Sequence, residues 1–239
     1  MNFQILENVN IARDIWRMRL MGDTSSITHP GQFVQITVPG FYLRRPISVC
    51  DWQENELTLV YRAGGDGTRK MTDMGGEIDV LPGLGHGYDV AAMGKHPILV
   101  GGGVGVPPLY GLAKKLVEAG AEVTVALGFR SAADVILVEE FKALGVQVRV
   151  ATEDGSVGEK GFVTGLLGGE FTSFACCGPE VMMRAVDKMM DIPGQLSFEA
   201  RMACGFGACM GCAREMKSGM KRVCADGPVF DKEEVLWQN

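Results

Sequence analysis

The sequence predicts a multi-domain α/β protein: an N-terminal antiparallel β-barrel, a parallel α/β nucleotide-binding domain and a small C-terminal cysteine domain. Three observations predict it. Short alternating segments fill residues 1–94, a β-α rhythm with a glycine-rich turn fills 95–195, and four cysteines crowd into 196–239. These ranges are the expected domains.

In the first region Val34–Val38 alternates apolar and polar residues, as a half-buried strand does. Leu43–Cys50 and Leu57–Arg62 read as further strands, and Glu77–Leu81 as another that Pro82-Gly83 should stop. Thr68–Met74 has room for one or two helical turns. Many short strands at regular spacing suggest a small barrel.

The rhythm changes near His96. The apolar run Pro97–Val100 leads into Gly101-Gly102-Gly103-Val104-Gly105, and Pro107-Pro108 opens a helix that Gly120 ends. Glu122–Phe129 reads as strand, Asp134–Leu144 as helix, Gln147–Thr152 as strand and Phe162–Leu167 as helix. Phe171–Cys177 is the last strand, with a helix through Met190 after Gly178-Pro179. Repeated β-α units imply a parallel sheet covered by helices.

Composition narrows the function classes. Of 239 residues 46% are hydrophobic, enough for a buried core. Net charge is −6 and no Lys/Arg run exceeds two residues, which argues against nucleic acid as partner. No apolar run reaches the length of a membrane span. The N-terminus lacks a signal-peptide plan, so a cytoplasmic location is expected.

Seven cysteines are present, and four of them, Cys204, Cys209, Cys212 and Cys224, lie within 21 residues. Their spacing is C-x4-C-x2-C, with the fourth after eleven more residues. That is the plant-type pattern for a [2Fe–2S] cluster. The glycines between them let the loop wrap inorganic sulfur and point N–H groups at it. A structural zinc site usually offers two C-x2-C knuckles, and only one is present. Cys50 reads as core, and of Cys176 and Cys177, which point to opposite faces, one reads as core and the other as a nucleotide neighbour, Cys177 more than Cys176. Cys177 ends a strand where nucleotides bind, and is a candidate neighbour of one.

Two phosphate signals accompany the cysteines. Gly102, Gly103 and Gly105 lie between a strand and a helix, where backbone N–H groups can meet phosphate. The turn departs from the G-x-G-x-x-G fingerprint, since Val106 and Pro107 follow. In the barrel, Arg45, Pro46, Ile47 and Ser48 put an arginine and a hydroxyl together, as a pyrophosphate clamp would. Tyr61, Arg62, Ala63 and Gly64 lead to Gly67 and Thr68 at the start of the short helix. Tyr61 is a candidate to stack on a flat ring, and Thr68 a hydroxyl donor. His29, His86 and His96 are isolated and read as structural or solvated. No nucleophile–base pair stands out, so no catalytic side chain is expected.

Arg45-Pro46-x-Ser48, the glycine turn with Pro107, and Cys177-Gly178-Pro179 occur in the order seen in the ferredoxin-reductase superfamily. Glu199-Ala200-Arg201-Met202-Ala203-Cys204-Gly205 and Val223-Cys224-Ala225-Asp226-Gly227-Pro228-Val229-Phe230 narrow this further. They resemble the electron-transfer subunits of type B dihydroorotate dehydrogenase over essentially the whole chain. The resemblance implies FAD on the barrel at Arg45–Ser48, around Arg62–Gly64 and at Gly67-Thr68. It implies NAD(H) on the α/β domain and the cluster on the four cysteines.

It also implies a separate FMN-containing catalytic subunit that oxidises dihydroorotate in pyrimidine biosynthesis, in a heterotetramer of two subunits of each kind. Electrons would run from FMN to cluster to FAD to NAD⁺. Alone, the chain would be an NAD(H)-dependent flavin/iron–sulfur diaphorase. The same C-terminal context resembles relay subunits of NADH-dependent ferredoxin:NADP oxidoreductases, sulfide dehydrogenases and hydrogenases. Between NAD and NADP the residues leave the choice open: Arg130 follows the second α/β strand, either to meet a 2′-phosphate or merely solvated.

Overall fold

The computed structural model describes residues 1–237. Six antiparallel strands open the chain: β1 (Asn2–Ala12), β2 (Ile15–Met21), β3 (Phe33–Ile36), β4 (Arg45–Gln53), β5 (Glu56–Arg62) and β6 (Glu77–Leu84). They close a barrel in the order β1-β2-β5-β4-β3-β6, with β6 returning to β1. Closure leaves no unpaired strand edge to cover. Inward residues such as Phe3, Met18, Leu20, Val34, Ile36, Leu57 and Leu59 form its interior. A short helix, α1 (Asp66–Met71), caps one side after β5.

Pro82-Gly83 does not stop the sixth strand. Against β3, Phe33 pairs with Leu84 and Gln35 with Leu81, so the proline and glycine lie in a bulge of a strand that continues to Leu84. A bulge accommodates the missing N–H of proline. Gly83 has φ +68°, and a side chain there would meet the Ser26 carbonyl.

The second unit alternates strand and helix: β7 (Pro97–Gly102), α2 (Pro107–Glu118), β8 (Thr124–Phe129), α3 (Val138–Ala143), β9 (Gln147–Thr152), β10 (Glu159–Lys160), β11 (Ser173–Cys177), α4 (Glu180–Met189) and β12 (Gly194–Ser197). The hairpin β13 (Ala213–Met216) and β14 (Gly219–Arg222) follows, then β15 (Val229–Asp231). The main sheet runs β10-β9-β8-β7-β11-β12-β15, parallel except for β15 on β12. Two expected helices are shorter than the pattern suggests. Leu137 takes a left-handed φ of 60°, which delays α3 to Val138 behind a 3₁₀ turn at Ala132–Asp134. Residues Val163–Leu166 form a 3₁₀ turn.

β12 crosses the 195/196 division, and β15 brings the chain back to the same sheet after the cysteines. One core cluster consequently holds sheet residues Ile98, Val100 and Phe174, helix residues Met183 and Val186, Leu196 of β12 and Phe230 of β15, Cys212, Cys224, and Phe33 of the barrel. A second lies on the other face of the sheet, under α2, and reaches the barrel at Ile15, Cys50 and Val60. Lys114 of α2 fastens that contact with an ion pair to Asp51 of β4 at 2.7 Å. Among the described residues no helix is long and apolar enough to cross a membrane.

If the cysteine segment and the sheet share one core, emptying Leu196 should destabilise both. Leu196→Ala is expected to cost about 2–5 kcal/mol of unfolding free energy in denaturant titration.

Candidate functional site

The strip Arg45, Pro46, Ile47, Ser48 opens β4, and all four are half-buried. Ile47 packs toward the barrel interior, so Pro46 and Ser48 face outward by alternation. The Arg45 guanidinium lies 4.2 Å above the Phe41 ring and donates to the Leu43 carbonyl. It also covers the start of α1: a Cβ on Gly67 would come within 1.9 Å of Arg45 Nε. The structure thus joins two predicted positions, one on a strand and one on the short helix, and a side chain at Gly67 would displace the guanidinium from its place over α1.

Two neighbouring expectations change. Tyr61 is not free to stack on a ring. Its side chain is 1% exposed inside the barrel, and its hydroxyl donates to Asn8 Oδ1 at 3.0 Å. Burial pushes its pKa up to about 12. The Thr68 hydroxyl is also engaged: it donates to the Gly65 carbonyl and accepts from the Gly65 N–H, both at 3.1 Å. What α1 offers a phosphate is its first-turn backbone N–H groups, which have no partner within a helix. Ala63 is held to Asp14 by a backbone bond of 2.8 Å, and the Gly64 carbonyl accepts from Arg69. Arg62 is exposed.

A cavity of about 620 Å³ opens at the carboxyl ends of β7, β8, β9 and β11, where ligands bind in parallel α/β sheets. Gly102, Gly103 and Gly105 form its floor, and Arg62 reaches it from the barrel. Proximity to backbone requires the glycine at 105, and Gly102 lies directly under the Met182 side chain. A Cβ on Gly105 would lie 2.5 Å from the Cys177 backbone, and one on Gly102 2.4 Å from Met182 Sδ. Gly103 has φ +53° and open space beyond it. Arg130 is in the wall, accompanied by Glu153 and Asp134.

Cys177 is not in that wall. Its side chain is 3% exposed and belongs to the core beneath α2, and burial raises its thiol pKa to about 12. The next residue, Gly178, is the one that lines the cavity. Sequence reasoning missed Phe162, Met182 and Glu199. Phe162 is 70% exposed at the cavity's edge, an unusual place for a phenyl ring. Glu199 stands there with Arg62; desolvation within the concave wall raises its carboxyl pKa, and the Arg62 charge opposes the rise. No local motif marks any of the three, because the chain brings them from separate connections.

The four predicted ligand cysteines converge on one loop, and every cysteine of the chain is a free thiol. They contact each other as two pairs. Cys204 interacts with the Cys209 side chain, and Cys224 with that of Cys212. The first pair faces outward, with Cys209 exposed, and the second is buried. Among the described residues no three donors converge on a single metal ion. Two joined pairs of thiols match the needs of a binuclear iron–sulfur group, which takes two thiolates at each iron.

The backbone is turned toward the sulfurs. The Gly211 N–H donates to Cys209 Sγ at 3.5 Å, and the Cys224 N–H to Cys212 Sγ at 3.4 Å. N–H groups of Phe206, then of Cys209 and Ala208, hold the Cys204 thiol near a pKa of about 6, favouring the thiolate that ligation needs. Gly205 and Gly207 have φ of +78° and +90°, and Met210 takes φ +59°. Arg222 clamps the loop, donating to the Gly207 carbonyl at 2.9 Å and to both carboxylate oxygens of Asp226. Hydrogen bonds from Arg222 lower the Asp226 pKa to about 2.

Residues 199–236 match the family described as the iron–sulfur cluster binding domain of dihydroorotate dehydrogenase B, and residues 99–188 the oxidoreductase NAD-binding domain. The chain is 43% identical to a dihydroorotate dehydrogenase B (NAD(+)) electron transfer subunit of Fusobacterium nucleatum, over 96% of this chain and 95% of that one. It is 44% identical to the subunit of the same name from Bacillus pumilus, over 97% and 96%. Among solved structures, an NADH-dependent reduced ferredoxin–NADP oxidoreductase superposes with a TM-score of 0.88 at 32% identity, covering 98% of this chain and 90% of that one. The FAD/NAD-binding domain of a Vibrio cholerae nitric oxide dioxygenase shares the fold, with a TM-score of 0.68 at 19% identity over 78% and 90%.

The glycine requirement in the cysteine loop is testable. Gly205→Ala should purify with clearly less iron per chain, because φ is +78° and Gln35 Nε2 would lie 2.2 Å from the new carbon. Gly211→Ala, which meets only Cys209 Sγ at 3.5 Å, should load normally.

Proposed function

The chain belongs to the family of dihydroorotate dehydrogenase B electron transfer subunits, and on that premise we propose that it carries electrons from a dihydroorotate-oxidising partner to NAD⁺. The observation that carries the reading is the pairing of the four cysteine thiols in the same packed unit as a glycine-floored nucleotide cleft. When bound, FAD exchanges electrons in pairs with a nicotinamide and singly with a [2Fe–2S] cluster.

Each residue set has a part. Arg45, Pro46, Ile47 and Ser48, with Arg62, Ala63, Gly64 and the first turn of α1 at Gly67-Thr68, would hold FAD on the barrel. Arg45 supplies a fixed positive charge for its pyrophosphate. Gly102, Gly103 and Gly105 would leave room for the NAD(H) phosphates against the start of α2. Cys204, Cys209, Cys212 and Cys224 would ligate the cluster. No side chain of this chain is assigned a covalent role; its contribution is position, charge and exclusion of water.

The partner is read as FMN-bearing and the assembly as two copies of each chain, both from the family resemblance. Free cysteines throughout support a reducing, cytoplasmic setting. A second reading, relay within an NADH-dependent ferredoxin:NADP oxidoreductase, is favoured by the fold likeness at TM-score 0.88. Co-purification from native extract under argon separates the two. Dihydroorotate-driven NADH formation by the isolated complex supports the first. NADH-to-dye activity with no response to dihydroorotate supports the second.

One substitution tests the order of carriers and a second tests the nucleotide cleft. Cys209→Ser should remove the iron–sulfur absorbance and electron exchange with the partner, while NADH-to-dye activity survives; loss of dye reduction as well would contradict a flavin standing between nicotinamide and cluster. Phe162, exposed at the edge of the cleft, is read as the ring on which the NADH adenine stacks, so Phe162→Ala should raise KM for NADH by about tenfold with kcat kept, given roughly 1–3 kcal/mol for stacking a base on an aromatic ring. An unchanged KM in steady-state dye reduction would remove Phe162 from the adenine site.

A further inference from the structure

The seam between barrel and cysteine loop contains a polar group with no partner. Three glutamines are buried among the described residues: Gln32, Gln35 and Gln195. Gln32 Oε1 accepts from the Thr28 and His29 N–H groups, and its Nε2 donates to the Gly85 carbonyl. Gln195 is satisfied in the same way against both backbone groups of Asp89. Gln35 is the most deeply buried, at 1% exposed, and its Nε2 has no hydrogen-bond partner. A buried donor left unmade is costly, and each one calls for an explanation.

Its position supplies one. Val34 and Ile36 face the barrel interior, so Phe33 and Gln35 face outward from β3. Phe33 packs in the same core as Cys212 and Cys224. Gln35 lies flat against the ligand loop: from a Cβ built on Gly205, Nε2 is 2.2 Å away, Cδ 2.5 Å and Oε1 3.0 Å. Gly205 directly follows Cys204. Beside Gln35 on the barrel are Pro46 and Leu81, whose side chains carry no acceptor. Pro46 belongs to the strip assigned above to FAD.

We propose that the Gln35 carboxamide is the barrel's hydrogen-bond donor to a sulfur of the iron–sulfur group in the cysteine loop. It acts as a positioning residue that sets the group's reduction potential. This rests on the cluster reading given above. An N–H donated to sulfur stabilises the more negative, reduced state, so Gln35 raises the potential. The same side chain joins the cysteine loop to the strand next to Pro46, between the residues assigned to the cluster and those assigned to the flavin.

The test uses the purified protein with its groups in place. A redox titration followed by electron paramagnetic resonance reads the cluster, and visible absorbance reads the flavin. Gln35→Met keeps the volume and removes the donor. Its cluster should become reducible only at a more negative potential than wild type, with the flavin potential unmoved. In wild type labelled with ¹⁵N in glutamine side chains, pulsed measurements on the reduced cluster should show a nitrogen coupling that Gln35→Met loses. The wild-type labelling decides the matter even where the variant fails to fold. An unlabelled-like spectrum in wild type, an unchanged cluster potential in the variant, or a shift in the flavin alone would each overturn the assignment to sulfur. Wild-type protein that holds no iron–sulfur group would instead overturn the cluster reading beneath it.

Discussion

The antiparallel pairing of β15 with β12 fixes where the cysteines sit. Leu196 opposite Phe230, and Ser197 opposite Val229, bring the chain back to the nucleotide sheet after an excursion of some thirty residues. With both ends pinned, the excursion becomes a loop of defined position. Closing such a loop costs entropy that grows only slowly with length, so two short strands and a shared core suffice to offset it. The hairpin β13–β14 and the Arg222–Asp226 clamp then stiffen the interior of the loop. Arg214 ties it sideways, paired with Glu180 at the start of α4 and stacked 4.2 Å over Phe198. The nucleotide cleft and the ligand loop therefore share a wall, since Glu180 and Phe198 both line the cavity.

The same pinning sets the burial of the thiols. Cys212 and Cys224 lie in a core with Phe33, Leu196 and Phe230, while Cys209 remains at the surface beside exposed Phe206 and Met210. A group held by these four thiols has a dry side toward the barrel and an open side toward solvent. In a low-dielectric setting hydrogen bonds to sulfur count for more, so the Cys224 N–H on buried Cys212 is the stronger contact, while the remaining N–H groups serve the outward pair.

Much of this was legible in the sequence, for reasons that differ by region. The cysteine spacing and the β-α rhythm carry local signals, and the expected strand Gln147–Thr152 coincides with β9. The glycine turn was legible as a turn, yet its cause was not. Gly105 is glycine because the end of β11 passes against it, a long-range contact that no local pattern encodes. Tyr61 shows the same limit. Strand alternation does not say which face of a closed barrel is inside, so an aromatic beside Arg62 reads equally well as a ring-stacking residue or as core. Pro82-Gly83 reads as a stop because bulges are invisible without the partner strand. Phe162, Glu199 and Gln35 are legible only in three dimensions, since each acquires its role from an element far away in the chain.

The two kinds of site are built on structures of different stiffness. The residues proposed to hold FAD sit largely on β4 and on the helix turn that Arg45 covers, within a barrel whose every strand is paired on both sides. Such a frame has few low-energy ways to open. The nucleotide cleft is made instead from strand ends, turns and an exposed phenyl ring, which can move without breaking a ladder. That division suits a relay in which one group stays and another exchanges at every turnover. A resident flavin needs fixed distance and orientation to the cluster, whereas a diffusing nicotinamide needs a mouth that admits and releases it. β3 lies at the meeting of these demands, with its inner face in the barrel core and its outer face, through Phe33 and Gln35, against the cysteine loop.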